Sequence, residues 1–423
     1  MSSPSSQQGA ACTIISPNYL PYARTLAASY REQHPGQLFF VLIVADLTDP
    51  KSFSAEPFTA ILVSELGLPN LRALAMMYDI LELNTNVKPS FMKYLLHRFR
   101  LVSLVYLDPD IFVYAPLTPV FEALESSDAV LTPHITSPVD DGKLPSEQDH
   151  LYNGTYNLGF FAVRNSPEGL RLLDWWERRC LENGFSEGRT GLFVDQKWMN
   201  LAPGLFAYVK ILRDPGCNMA YWNLQERKLV ESAGGYVVHA TEANAQLRFF
   251  HFSGIVPGDP DLISNNTNRF TLADRPDVRT LFAQYGLAVI GNRGGAAGKP
   301  DYGFDKFSDG TAITRLARRM FAQHQRHFPQ ADPFASSGPW LAFCRSEKLV
   351  AGKAAPVKST WSDFSGTDRR VTMLHRLLRL TLRLLGPNRY ELLMRYLAFI
   401  SVLRNQSVFL CKGLPPDSEQ PLS

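Results

Sequence analysis

Closely spaced cysteines are missing from this chain. Its five (Cys12, Cys180, Cys217, Cys344 and Cys411) are odd in number and widely scattered, with no CxxC or other close ligand pair. That pattern excludes a disulfide framework and a structural zinc site, and a reducing compartment is expected. Charge of one sign is also scarce: 43 Lys and Arg stand against 40 Asp and Glu, a formal +3 over 423 residues. So small an excess gives no global attraction to nucleic acid. No uncharged apolar run of about 18 residues occurs, so no membrane-spanning helix is expected. The nearest run, Leu392 to Leu403, is short and contains Arg395. The opening MSSPSSQQGAAC has neither the basic nor the apolar region of a secretory leader. A cytoplasmic location is the expectation.

What is present is a chain 45% hydrophobic, enough to bury a sizeable core. After a polar, flexible lead-in over residues 1–10, short apolar runs alternate with amphipathic stretches. Ala11–Ser16, Leu38–Ala45, Thr59–Ser64 and Leu101–Leu107 read as buried strands, with helices near Leu26–Tyr30, Asn70–Tyr78 and Ser90–Arg100. Continuous apolar strands separated by helices predict an α/β fold whose mostly parallel sheet is covered on both faces. Ala129–Thr132, Asn157–Val163, Tyr236–His239 and Arg248–Phe252 predict further strands, and Leu170–Leu181 and Val194–Leu201 predict helices. One α/β domain is therefore expected over 11–290. GNRGGAAGK has linker composition, placing a linker at 291–300, and a mainly helical extension follows over 301–423.

Ligands of such sheets bind outside the carboxyl ends of the strands, so the residues after each strand carry the search. Asp108-Pro109-Asp110 directly follows SLVYL. In extended backbone, residues i and i+2 project to one side, so two carboxylates can converge on a hard divalent cation, Mg²⁺ or Mn²⁺. Such an ion neutralises a diphosphate as it leaves. At ordinary Asp usage about one Asp-x-Asp arises by chance in a chain this long, and Asp259-Pro260-Asp261 is a second copy, in a loop with turn composition. Position separates the two. His251 ends an apolar run, and is either a third ligand or a half-buried structural histidine. Gly159 either admits close backbone approach to a ligand or marks a bulge. Asp195 and Gln196 open the segment VDQKWMNL, where Asp195 is either a helix cap or points into the crevice.

Taken in order, YLDPDIFVYAPL, YNLGFFAVRN, VDQKWMNL and HFSG resemble the YLDxDxxV, NxGxxLxN, DQDxLN and HxxG segments of the GT-A glycosyltransferases, in particular the glycogenin and bacterial lipopolysaccharide galactosyltransferase group. The resemblance runs from about Thr13 to Gly254. ELNTNVKPSFMKYLLHR and PGCNMAYWNLQER look like segments of uncharacterised bacterial sugar transferases. The resemblance implies a GT-A-like, Rossmann-like catalytic domain and transfer of a sugar from a nucleotide-diphosphate donor, a UDP-sugar, with retained anomeric configuration. It implies Mn²⁺ or Mg²⁺ as cofactor, with Asp108, Asp110 and His251 as ligands, and Asp108 also meeting the donor. Asn157, Gly159 and Asp195 would hold the donor sugar and Gln196 would lie beside the anomeric carbon. Tyr19, after the first strand, is available to stack on the base.

The group's HxxG runs on into Lys-Pro-Trp, whose Lys touches the diphosphate. Here HFSG runs into IVPGDPD, so another cation is needed. Lys88, Lys93, Arg248 and Arg269 are candidates, each with a solvated-surface alternative. The acceptor is a saccharide, a lipid-linked saccharide or a protein, with surface polysaccharide synthesis the expected setting. Between Arg369 and Arg404 lie eight arginines and one acid, Glu391, among many leucines. Such a segment either lies on an anionic membrane surface or packs as a helical hairpin with its arginines in water. Two other readings remain open. A non-catalytic protein of the same fold can bind saccharide or a partner, a reading the missing Lys favours. A nucleotidyltransferase needs a Gly-rich phosphate loop that SPNYLPYAR lacks.

Overall fold

The computed structural model describes residues 9–241, 243–256, 259, 261–294, 301–328, 332–350, 369–411 and 414. Most of the lead-in expected over 1–10 and most of the linker expected over 291–300 lie outside these. Two compact units emerge, one of residues 1–71 with 80–303 and one of residues 72–79 with 304–423.

The first unit is built on β1 (Ala10–Ile15), β2 (Phe39–Ile43), β3 (Thr59–Leu62), β4 (Ser103–Leu107), β5 (Ile111–Val113), β6 (Ala129–Leu131), β7 (Phe160–Arg164), β8 (Val209–Ile211), β9 (Met219–Ala220) and β10 (Phe249–His251). Seven of them form one sheet in the order β8-β6-β7-β4-β1-β2-β3. β1 is parallel to β2 and β4, β2 to β3 and β8 to β6; β7 alone runs antiparallel to its neighbours β4 and β6. Every residue of β1, β2 and β4 is buried, because helices cover both faces. The α/β, mostly parallel sheet read from the sequence is the one observed. Strand order reverses between β1 and β4, and that switch point opens a crevice at their carboxyl ends.

Local sequence explains the helices of this unit. The helix Leu20–Gln33 has Pro21 in its first turn, where no amide partner is lost, and buries Ala23, Leu26, Ala27 and Tyr30 at helical spacing. Lys88–Arg98 likewise starts with Pro89 and buries Phe91, Met92, Leu95 and Leu96. Pro167–Asn183 is capped by Ser166, whose hydroxyl accepts from Gly169 N at 3.0 Å, a cap worth about 1 kcal/mol. A smaller sheet, β9-β10-β5, sits beyond β4 and pairs β5 antiparallel to β10.

The second unit contains the helices Arg315–His324, Pro339–Ser346 and Arg369–Ile400. Arg318, buried, donates to the carbonyls of Ala75 (2.7 Å) and Tyr78 (2.9 Å), at the end of the short helix Leu71–Met77, and to that of Phe304 (2.6 Å).

Candidate functional site

Two segments far apart in sequence are brought together by strand pairing. β4 ends at Leu107, and Asp108 N then donates to Gly159 O (2.7 Å), fixing the turn that follows. Ile111 N returns to Asp108 O (3.0 Å) and β5 begins. In the β5–β10 ladder His251 stands opposite Ile111, and Phe252 N donates to Asp110 O (2.8 Å). The imidazole is thereby delivered to the two carboxylates. His251 Nε2 lies 3.0 Å from Asp110 Oδ1 and 3.8 Å from Asp108 Oδ2. One ligand atom from each of Asp108, Asp110 and His251 falls within 4.8 Å of the others.

The surroundings fit a hard divalent cation. His251 Nδ1 is 3.2 Å from Asn157 Oδ1, which also accepts from Asn218 Nδ2 at 3.1 Å. An acceptor on that side places the ring proton on Nδ1 and leaves the Nε2 lone pair facing the carboxylates, as ligation requires. Tyr106 Oη donates to Asp108 Oδ1 (2.7 Å), leaving Oδ2 for a ligand. A methyl at Gly159 would lie 2.3 Å from His251 Cε1, 2.8 Å from Asp108 Oδ2 and 2.9 Å from Asn157 Oδ1, so the site depends on the missing side chain. Burial opposes an imidazolium at His251, but Asp110 and then Asp108 outweigh it and raise its pKa above the ordinary range. A positive charge is wanted there, and a proton or a metal ion can supply it.

The triad stands in a cleft of about 450 Å³ whose walls include Ser16, Tyr19, Lys88, Asn157, Gly159, Asp195 and Gln196. Tyr19 is at its exposed rim, its ring 5.0 Å from that of Tyr22. Lys88 lies buried in the cleft wall, with Nζ 2.6 Å from Asp195 Oδ2, 2.7 Å from Leu158 O and 4.2 Å from the centre of the Tyr106 ring. Burial pushes the Asp195 carboxyl above its usual range, against the pull of Lys88. The expected helix over Val194–Leu201 is not formed. Val194 has φ +43° and a 3-10 turn starts only at Lys197, because Asp195 turns inward to Lys88 and its carbonyl accepts from the Trp176 indole (2.9 Å). Gln196 Oε1 accepts from Leu158 N (3.0 Å) and its Nε2 donates to Asn153 O (3.1 Å), so the amide is held at both ends.

Three other basic candidates are engaged elsewhere. Lys93 pairs with Asp174 (2.7 Å) and Glu177 (2.6 Å), Arg248 donates to Pro116 O (3.0 Å), and Arg269 clasps Asp141 (2.6 and 3.1 Å). Asp259 Oδ1 accepts from Asp261 N (3.0 Å) and Leu262 N (3.2 Å), the hydrogen bonding of a turn.

A second cavity of about 410 Å³ adjoins the first, and Asn157, Phe193, Gln196 and Ser253 line both. Its other walls include His134, Tyr221 and Trp222. His134 stacks on His150 (5.0 Å) and its Nε2 faces Asn157 Nδ2 (3.3 Å); burial, then His150, lowers its pKa to about 3. Trp222 packs edge-on to His251 (5.1 Å). Sequence reading missed His134, Asn218 and Trp222 as parts of the site. For the last two a signal existed: both fall in PGCNMAYWNLQER, one of the segments that look like those of bacterial sugar transferases.

No family model matches the chain. Among curated proteins it is similar to two from Bacillus subtilis (strain 168). Uncharacterized protein YfnF is 28% identical over 252 residues, covering 57% of this chain and 80% of YfnF. Uncharacterized protein YfnD is 26% identical over 171 residues, covering 40% of this chain and 52% of YfnD. Among solved structures the chain is similar to a glycosyltransferase, the galactosyltransferase LgtC in complex with donor and acceptor sugar analogues. That likeness has 14% identity and a TM-score of 0.39, and covers 66% of this chain and 96% of LgtC.

Proposed function

We propose that the chain is a metal-dependent glycosyltransferase, moving a sugar from a UDP-sugar to a saccharide or lipid-linked acceptor, with retained configuration, in surface polysaccharide synthesis at the inner face of a membrane. The observation that carries this reading is the meeting of Asp108, Asp110 and His251 at the switch point of a parallel sheet. Charge supports it. Asp108, Asp110 and Asp195 line the cleft, and Lys88 is the sole Lys or Arg among the described residues that do. A diphosphate would be repelled by so acidic a wall until a divalent cation is bound.

Bound Mn²⁺ or Mg²⁺ would be held by Asp108, Asp110 and His251 and would supply Lewis-acid neutralisation of the departing diphosphate. The chain's own residues do the rest. Tyr19 offers its ring to the base at the exposed rim. Asn157, bonded to His251, and Gly159 shape the floor under the donor sugar. Lys88 neutralises Asp195 and so holds it in place. Gln196 lies on the wall common to both cavities and is neutral at every working pH, so it orients the sugar and takes no proton. The second cavity, with Tyr221 and Trp222, offers aromatic faces to a saccharide acceptor.

Incubating the protein with Mn²⁺ and a panel of UDP-, GDP- and dTDP-sugars tests the reading through slow donor hydrolysis. We expect turnover with one donor and its loss on chelation. No turnover, and no metal-dependent nucleotide binding, would favour the non-catalytic reading, which the engagement of Lys88 by Asp195 and Leu158 supports.

A further inference from the structure

The basic, leucine-rich segment near the carboxyl end is exposed along almost its whole length. The helix Arg369–Ile400 buries one residue, Val371, and is interrupted at Gly386 (φ 71°), ahead of Pro387. In the stretch before that break, 369–385, most of the side chains sort by chemistry, although Arg370 and Thr381 fall among the apolar ones and Leu382 on the basic side. At about 100° per residue, Met373, Leu374, Leu377, Leu380, Leu384 and Leu385 fall within one broad arc of roughly 140°. Met373, Leu377 and Leu384, near the middle of that arc, are 74, 57 and 75% exposed. His375, Arg376, Arg379 and Arg383 fill the opposite side. Among the described residues none of these three arginines meets a carboxylate within 4 Å. The single acid of the helix, Glu391, lies past the break and is held by Arg395 at 2.5 Å.

So large an exposed apolar arc needs a cover, and the basic side states the sign of that cover. No described helix is long and apolar enough to cross a membrane. We infer that residues 369–385 form an interfacial helix that lies in the plane of an anionic lipid surface, its leucine arc among the acyl chains and Arg376, Arg379 and Arg383 reaching up to lipid phosphates. A second copy of this chain fits less well. Its equivalent segment brings the same positive charge, with no acid to meet it. The inference stands on the exposure and charge of this helix and does not depend on the reading of the cleft.

Co-sedimentation of the full chain with vesicles tests it. Phosphatidylcholine vesicles containing one part in three phosphatidylglycerol should carry the protein down, and pure phosphatidylcholine vesicles should not. The triple change Arg376→Glu, Arg379→Glu, Arg383→Glu should weaken binding on the order of a hundredfold. Leu377→Asp with Leu384→Asp should abolish it, while both variants keep the wild-type circular dichroism spectrum and melting temperature as a check on folding. Protein left in the supernatant with anionic vesicles overturns the inference, and so does equal binding to neutral ones. A concentration-dependent dimer that Leu377→Asp dissolves, without vesicle binding, assigns the surface to a second copy and overturns it as well.

Discussion

Replacing Gly159 by alanine probes the candidate centre without removing any of its polar groups. The new methyl would stand 2.3 Å from His251 Cε1, 2.8 Å from Asp108 Oδ2 and 2.9 Å from Asn157 Oδ1. Carbon atoms in contact prefer about 3.5–4.0 Å, so the methyl overlaps the imidazole by more than ~1 Å. The ring has little room to retreat, being buried with Trp222 edge-on at 5.1 Å. The strain is expected to cost about 1–3 kcal/mol, against a total stability of roughly 5–15 kcal/mol, so the variant still folds. A displacement of about 1 Å at a reacting centre costs on the order of a hundredfold in rate. Gly159→Ala should therefore melt a few degrees lower, bind Mn²⁺ weakly by electron paramagnetic resonance titration, and hydrolyse donor about a hundredfold more slowly. Gly204→Ala is the control, since a methyl there meets nothing within 4 Å. Wild-type Mn²⁺ affinity and turnover in Gly159→Ala would refute the reasoning, because so deep an overlap leaves no geometry in which all three groups keep their places.

Other consequences follow from neighbouring groups. Asp110→Ala should abolish Mn²⁺-dependent nucleotide binding with little change in melting temperature, since the carboxylate is only half-buried; Asp261→Ala, in a turn, should be nearly silent in the same assay. Lys88→Met leaves Asp195 buried without its partner and should cost about 3–5 kcal/mol in urea unfolding, most of it recovered in Lys88→Met with Asp195→Asn. His134 should make stability fall in acid. The unfolded chain protonates it near the ordinary histidine value, whereas the folded chain resists until about pH 3. Between those limits the unfolded state binds more protons, so stability drops as pH falls, by at most about 1.4 kcal/mol per pH unit. His134→Gln should flatten that slope in pH-dependent denaturation.

How far the sequence could be read depended on what each residue answers to. β1 and β2 are buried at every position, so their apolar runs state both the element and its place in a covered sheet. Asp108 and Asp110 were legible because a strand end, which the apolar run locates, is also where the crevice lies. Asp195 and Gln196 were legible as residues and not as backbone. The spacing of VDQKWMNL imitates a helix, but the turn at Val194 is set by Lys88 and Trp176, which belong to two other helices, and local periodicity carries no record of them. His134 and Asn218 meet Asn157 only through the fold. The Arg and Leu pattern between Arg369 and Arg404 left a membrane surface and a packed hairpin as alternatives; that the leucines of 369–385 are exposed is a structural observation.

The central claim is that Asp108, Asp110 and His251 hold one divalent cation beneath a nucleotide diphosphate. A crystal grown with Mn²⁺ and UDP, read by anomalous scattering at the manganese edge, tests it most directly. We expect one strong peak at coordination distance from His251 Nε2 and a carboxylate oxygen of each aspartate, with the diphosphate on its open side. Bound UDP with no peak at those three residues, or manganese elsewhere in the cleft, would contradict it.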